Sequence, residues 1–212
     1  MNYSQNKEQE HILNYFGDYV GTFLDLGCND CLTFSNTRAL ALKGWKGIFI
    51  DPIPSVIERC KILYNGHKGF YFYEVAISGH NGKDFIDKSG SLCSAADDGL
   101  VSTFHAHEKA RFKSVKYEPV EVTIFKWKTF SNRLKNTKIK SFDFISIDIE
   151  GDEILTDKKR EKYFILKDMD ITKTKLICIE TNGNQEFKKL HEKYLDGFKL
   201  IYTSGENLIY GR

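Results

Sequence analysis

A chain of 212 residues, 41% hydrophobic and 28% charged with a formal net charge of +2, has the size and composition of one well-cored globular domain. That balance excludes a disordered or fibrous chain, and the near-neutral charge makes no demand for a nucleic acid or a membrane as partner. No apolar run approaches the roughly eighteen residues that span a bilayer, and the polar start MNYSQNKEQE lacks the apolar core of a secretion signal, so a cytoplasmic protein without a membrane span is expected.

In chain order, residues 5–16 place Ile12, Leu13 and Phe16 on one side of a short helix. Residues 1–19 read as a helical extension of a single domain filling 1–212. GTFLDLG (21–27) is an apolar run ending in glycine, as a buried strand does, and 33–43 reads as a helix closed by Gly44. KGIFID (46–51) is a second buried strand and 55–66 a second helix. The aromatic GFYFYEVAIS (69–78) is a third strand. Serine, glycine and aspartate dominate 80–117, which reads as loop with a short hairpin. A strand at 119–125, a helix at 127–134, and buried strands at 141–151 and 175–183 follow. A helix near 184–195 and a terminal hairpin, 198–203 with 207–211, close the chain. Buried strands alternating with helices specify an α/β fold whose mostly parallel sheet is covered on both faces, with an antiparallel strand from the closing hairpin. Ligands of such sheets bind beyond the carboxyl ends of the strands, so the residues following each strand carry the functional question.

Four of those ends carry carboxylates: Asp25, Asp51, Asp148 with Glu150, and Glu180. The first turn reads Asp25-Leu26-Gly27-Cys28-Asn29, not the Gly-x-Gly-x-x-Gly of a dinucleotide site. Gly27 permits a tight turn with backbone N–H groups close to a ligand, while Asp25 suits a cation better than a pyrophosphate. Asp51, after the second strand, stands where a carboxylate meets ribose hydroxyls. Together they fit a nucleoside bearing a positively charged amino acid, S-adenosylmethionine.

The sequence resembles the FkbM-type family of S-adenosylmethionine-dependent methyltransferases. Asp25, Gly27, Asn29 and Ser35 match its first motif. SNTRALALKGWKGIFIDPIP is similar to the following helix and strand, including the acid-proline pair Asp51-Pro52. FDFISIDIEGDEIL matches the Asp-x-Glu-Gly-x-Glu signature on Asp148, Glu150, Gly151 and Glu153. The resemblance implies a Rossmann-like, seven-stranded class I methyltransferase sheet. It also implies that Asp25, Gly27, Cys28 and Asn29 line the methionine part of the cofactor, with Ser35 in the same motif. Asp51 and Pro52 would lie at the ribose, Ala76 and Ile77 at the adenine, and Asp148 and Glu150 at the transferring methyl. The chain departs from the family at Cys28, in place of alanine, and at Cys31, in place of glycine.

The activity so implied is O-methylation of a hydroxyl on a sugar, glycan or other small metabolite, with one carboxylate of Asp148 and Glu150 taking the acceptor's proton. The same pair suits a divalent cation, or a cap on a following helix. An RNA ribose methyltransferase is the first rival, supported by the acid-free basic stretch KWKTFSNRLKNTKIK (126–140), which also reads as a solvated helix face. A binding module that keeps the fold without turnover is the second. His105 and His107 are candidates for an acceptor-site base or a metal pair, and read equally as solvent-exposed loop residues. The odd set of five cysteines reads as reduced, buried residues; Cys28 and Cys31, at C-x-x-C spacing, read as incidental to the cofactor turn, not as a redox dithiol or half a zinc site.

Overall fold

A computed structural model describes residues 1–90, 102–103, 116–149, 154–156, 162–181, 183 and 185–212. Seven strands form the central sheet: β1 (Thr22–Leu26), β2 (Lys46–Asp51), β3 (Phe70–Glu74), β8 (Phe144–Ile147), β11 (Leu176–Glu180), β12 (Lys199–Thr203) and β13 (Asn207–Gly211). Their order is β12-β13-β11-β8-β1-β2-β3, and β13 runs against the other six. Strands β1, β2, β8 and β11 are apolar runs rich in branched and aromatic residues and buried on both faces, which is why they read as continuous apolar segments and not as alternating ones. Chain order reverses between β1 and β8, so their carboxyl ends frame the switch point where ligands of open α/β sheets bind.

Alternation along each strand divides the core in two. Leu24, Leu26, Ile48, Ile50, Ile145 and Ile147 face one side, where α4 (Trp127–Phe130) and α5 (Ile165–Asp168) contribute Trp127, Phe130, Ile165 and Leu166. Phe23, Phe49, Phe144, Leu176 and Cys178 face the other, covered by α1 (Glu8–Phe16), α2 (Arg38–Leu42) and α3 (Pro54–Leu63). Helix α1 is packed into that second layer. Ile12 is buried, and the Phe16 ring lies 4.7 Å from Trp45 and 6.3 Å from Phe144. Its first residue, Glu8, is fully buried and accepts the Asn6 N–H at 2.8 Å and the Asn207 side-chain amide at 3.2 Å. Burial alone would raise the Glu8 carboxyl, but hydrogen bonds from its own N–H, Asn6, Ser204 and Asn207 outweigh it and hold the group below its ordinary value.

Several elements differ from the sequence expectation. The helix expected over 33–43 shortens to α2, because Asp30 Oδ1 accepts the N–H groups of Leu32 and Thr33 and Phe34 is left-handed at φ 55°, which holds 30–37 in turns. The third strand stops at Glu74, and β4 (Ala76–Ile77) joins a second sheet. The middle of the chain, expected as loop with a short hairpin ahead of a strand at 119–125, supplies most of that sheet. The antiparallel partners β5 (Gly82–Gly90) and β7 (Lys116–Phe125), with β6 (Ser102–Thr103), complete the order β4-β7-β5-β6. Asp84 and Asp87 sit in β5, whose first half is exposed, so their polarity does not oppose pairing; residues 91–101 and 104–115 lie outside the described residues. After β8, a small hairpin of β9 (Ile154–Thr156) and β10 (Lys162–Phe164) precedes α5; α6 (Gln185–Glu192) and the terminal β12–β13 hairpin follow as expected. Among the described residues no helix is long and apolar enough to cross a membrane.

Candidate active site

Strand register brings the acidic strand ends to one place. Asp25 lies opposite Ser146 of β8, and Ser146 opposite Cys178 of β11, with all three side chains on the face covered by α1–α3. The next position of that parity is Asp51 on β2 and Asp148 just beyond β8. Above this row lie Asn36 and Thr37. The Asn36 amide donates to Ser146 Oγ at 3.3 Å and approaches Cys178 Sγ at 3.6 Å, while the Thr37 hydroxyl donates to Asp25 Oδ2.

The turn between β1 and α2 is unusual in backbone. Gly27, Asn29, Cys31 and Phe34 are all left-handed, at φ 75°, 46°, 59° and 55°. Each of the three non-glycine residues costs roughly 1 kcal/mol in that conformation. Gly27 has a second reason to be glycine: a Cβ there would stand 1.5 Å from the Asp148 carbonyl oxygen. The N–H groups of Gly27 and Cys28 donate to the Ile50 carbonyl, and the Asp148 N–H to the Leu26 carbonyl at 2.9 Å, so the turn is stitched to the ends of both neighbouring strands. Asp51 fixes it from the side. Its Oδ2 accepts the Asn29 N–H at 3.2 Å and its Oδ1 the Ile53 N–H at 2.9 Å.

The cysteines behave differently from the sequence reading. Cys31 is joined by a disulfide to Cys60 on α3, 29 positions later in the sequence. The Cys28–Cys31 spacing therefore says nothing about pairing, and the expectation of five reduced thiols is corrected. Cys60 lies on the buried side of α3 with Val56 and Ile57, and that side faces the turn. Cys28 remains a buried free thiol, pushed well above its ordinary value by burial and by the Asp51 and Asp25 carboxylates. Cys31 at φ 59° also explains the departure from the family's glycine, because the position keeps the left-handed backbone that glycine adopts without strain.

Electrostatically, the site is acidic. Burial, opposed by the Thr37 hydrogen bond and reinforced by Asp148 and Asp51, pushes the Asp25 carboxyl up to about 7. Burial also pushes Asp51 to about 7, against the Ile53 and Asn29 N–H groups, with Asp148 adding to the rise and Arg59 lowering it. Three carboxylates close enough to repel one another, two of them buried, make a setting that a positively charged ligand relieves.

The expected site residues are thus brought together to different degrees. Asp25, Gly27, Cys28, Asn29, Asp51 and Asp148 converge on the switch point. Half-buried Pro52 follows Asp51, and the buried Ala76 and Ile77 come next to it, since the Val75 N–H donates to the Asp51 carbonyl at 3.1 Å. Ser35 is occupied otherwise: its hydroxyl oxygen accepts the Arg38 and Thr37 N–H groups and so caps α2. Glu150, His105 and His107 lie outside the described residues. Sequence reasoning missed Asn36, Thr37 and Cys60; a Ser-Asn-Thr run before a helix is a capping signal, but nothing in it announces a bond to Asp25. Among the described residues, the ligand atoms close enough to share a metal are the sulfurs of Cys28, Cys31 and Cys60, within 4.8 Å of one another and two already joined. A cavity of about 300 Å³ beside Trp127, Leu134, Phe142 and Met169 lies at the amino ends of β8 and β11, away from the switch point.

The methyltransferase FkbM domain model matches residues 13–200, most of the chain. The chain belongs to the FkbM methyltransferase family. It is accordingly an S-adenosylmethionine-dependent methyltransferase. Among solved structures, a methyltransferase from Geobacter sulfurreducens is similar with a TM-score of 0.50 at 8% identity, covering 99% of this chain and 79% of that one. A SAM-dependent methyltransferase from Agrobacterium tumefaciens gives 0.48 at 9% identity, covering 97% and 60%. At such identity the Geobacter likeness bears on fold alone, and it agrees with the seven-stranded sheet. No curated protein matches the sequence. The FkbM site also fits its cofactor on local evidence: buried acids that repel one another, and a buried Asn29 Oδ1 with no partner among the described residues.

Proposed function

We propose that this FkbM methyltransferase transfers a methyl group from S-adenosylmethionine to a hydroxyl oxygen of a sugar, glycan or other small metabolite. The observation that carries the reading is the meeting of Asp25, Asp51 and Asp148 at the switch point around one strained turn. The cofactor, when bound, supplies an electrophilic methyl on sulfur. Gly27, Cys28 and Asn29 hold its amino-acid end by backbone approach and by the free Asn29 Oδ1, with Asp25 supplying negative charge beneath. Asp51 with Pro52 holds the ribose, and Ala76 and Ile77 flank the adenine. The acceptor hydroxyl must lie close to the methyl and opposite the sulfur, so positioning supplies much of the rate. Asp148, at the end of β8, takes the hydroxyl proton directly, with Glu150 as its partner in the reading.

The basic stretch 126–140 supports the RNA rival less. Its cationic side chains are exposed over buried Trp127, Phe130, Leu134 and Ile139, and residues from 127–140 line the cavity at the amino ends of β8 and β11, away from the acidic switch point. The test is methyl transfer from labelled cofactor to a panel of glycans, nucleotide-linked sugars and RNA, repeated with Asp148→Asn and with a chelator. Transfer to a carbohydrate hydroxyl, lost by at least a hundredfold in the variant and unaffected by chelation, is expected. Transfer to RNA ribose, or full activity in Asp148→Asn, overturns the assignment; loss on chelation moves the proton-removing role to a metal-bound site.

A further inference from the structure

The Cys31–Cys60 disulfide ties the two halves of the cofactor site to each other. Cys31 belongs to the turn after β1 and Cys60 to the helix that begins just past Asp51, so the closed loop contains α2, β2 and the Asp51 turn. Both sulfurs are fully buried, and the Asn29 carbonyl oxygen lies 3.0 Å from Cys60 Sγ. Asn29 and Cys31 are two of the left-handed residues of the turn, and the other restraint on Asn29 is the Asp51 carboxylate. A backbone held in a sparsely populated conformation persists only where its surroundings fix it, and here one of the fixings is a bond that a dithiol can open.

We propose that Cys31–Cys60 is a redox site that sets cofactor affinity: the disulfide form holds the turn in its binding shape, and reduction releases it. This rests on the S-adenosylmethionine site described above. The step is a two-electron exchange with a dithiol reductant. A thiolate of the reductant attacks one sulfur of the pair, the Cys31–Cys60 bond breaks, and a mixed disulfide forms. The second thiol of the reductant then displaces it, leaving two cysteine thiols and an oxidised reductant. The disulfide sulfur of Cys60 carries no hydrogen to donate to the Asn29 carbonyl 3.0 Å away, so what the oxidised form adds is the covalent tie between the turn and α3. Cys28, within 4.8 Å of both sulfurs, stays protonated among carboxylates and does not reshuffle the pair. Because both sulfurs are buried, attack requires the turn to lift, and a bound ligand that holds the turn down slows it. Coupling between ligand and disulfide is reciprocal.

Calorimetric titration of the whole protein with S-adenosylhomocysteine, in oxidised and dithiothreitol-reduced forms, reads the effect directly. Mass-spectrometric counting of alkylated cysteines defines each state, and circular dichroism confirms that both are folded. The oxidised form should bind at least tenfold more tightly, and saturating ligand should make the midpoint potential of the pair about 30 mV more negative for each tenfold. Cys60→Ser, provided it is folded, should bind like the reduced form with or without dithiothreitol. Equal affinity in both states, or five alkylatable cysteines in protein treated with mild oxidant, overturns the inference while leaving the cofactor site intact. Binding in neither state overturns the cofactor site, and the inference with it.

Discussion

Replacing Asp25 by asparagine tests the idea that the acidic site is costly to the unliganded protein. The side chain is buried, with its carboxyl raised from an ordinary 3.8 to about 7. A carboxyl raised on folding gives stability that is complete below its unfolded value and is lost as pH climbs through the folded one. The difference of about three pH units, at 1.36 kcal/mol each, amounts to roughly 4 kcal/mol by pH 8, of which about 3 kcal/mol is lost between pH 5 and pH 8. That is a large fraction of the 5–15 kcal/mol that holds a typical domain together. The amide oxygen of the introduced side chain can still accept the Thr37 hydroxyl, so Asp25→Asn removes the charge while keeping that bond. Urea unfolding of the unliganded protein should show wild-type stability falling from pH 5 to pH 8 and the variant falling by about half as much, with Asp51 supplying the remainder. The variant should therefore be more stable at pH 8 yet bind S-adenosylmethionine at least tenfold more weakly. Parallel stability profiles for the two proteins, or a variant less stable at pH 8, would refute the reasoning.

Gly27→Ala and Gly44→Ala both put a side chain at a left-handed φ, 75° and 89°. Only the first brings a Cβ against backbone, and position 44 has nothing within 4 Å. Gly44→Ala should cost about 1 kcal/mol in urea unfolding and Gly27→Ala several times more, with cofactor binding lost. In Asp51→Asn, one of two N–H groups faces an amide donor in place of an oxygen; a loss of about 1–3 kcal/mol and at least tenfold weaker cofactor binding are expected by unfolding and calorimetry. Phe16→Ala should cost about 3–5 kcal/mol, since its ring packs on Trp45 and Phe144; a change under 1 kcal/mol would mark α1 as a dispensable extension. The sulfonium of S-adenosylmethionine is absent from S-adenosylhomocysteine, so the affinity ratio favouring the former should widen from pH 6 to pH 8 as Asp25 and Asp51 ionise; a constant ratio would show that the carboxylates do not sense that charge.

Much of the site was legible because strand periodicity does two jobs. It buries apolar runs, which marks β1, β2, β8 and β11 in the sequence, and it fixes the parity by which Asp25, Asp51 and Asp148 fall on one face. The turn was half legible. Gly27 signals a close approach, but left-handed Asn29, Cys31 and Phe34 carry no such mark, and a helix was expected to start at 33 where the backbone still turns. The Cys31–Cys60 bond was invisible, because cysteine spacing shows local motifs and not which helix faces which turn. Strand β5 was concealed by composition, whereas alternation marked β7 over 119–125. Most residues of β5 are polar because most of its surface is exposed, and only Ile86 joins the buried cluster that Val122 and Ile124 of β7 form.

The same feature that makes the site readable destabilises it. Carboxylates at adjacent strand ends, aligned by register, repel one another in a setting from which burial has removed most of the water, and the nearby cation that lowers one of them, Arg59, acts on Asp51. The protein tolerates this by directing hydrogen bonds at the charges, with Asp51 accepting two N–H groups and Asp25 the Thr37 hydroxyl, and by cross-linking the turn that carries them. A ligand carrying an ammonium and a sulfonium then gains in proportion to the repulsion it relieves, so affinity is drawn from strain already present in the empty fold. Restraint and charge are therefore not separable contributions: the acids favour a cation only while the turn keeps them close, and the turn keeps its left-handed shape only while Asp51 and Cys60 hold it.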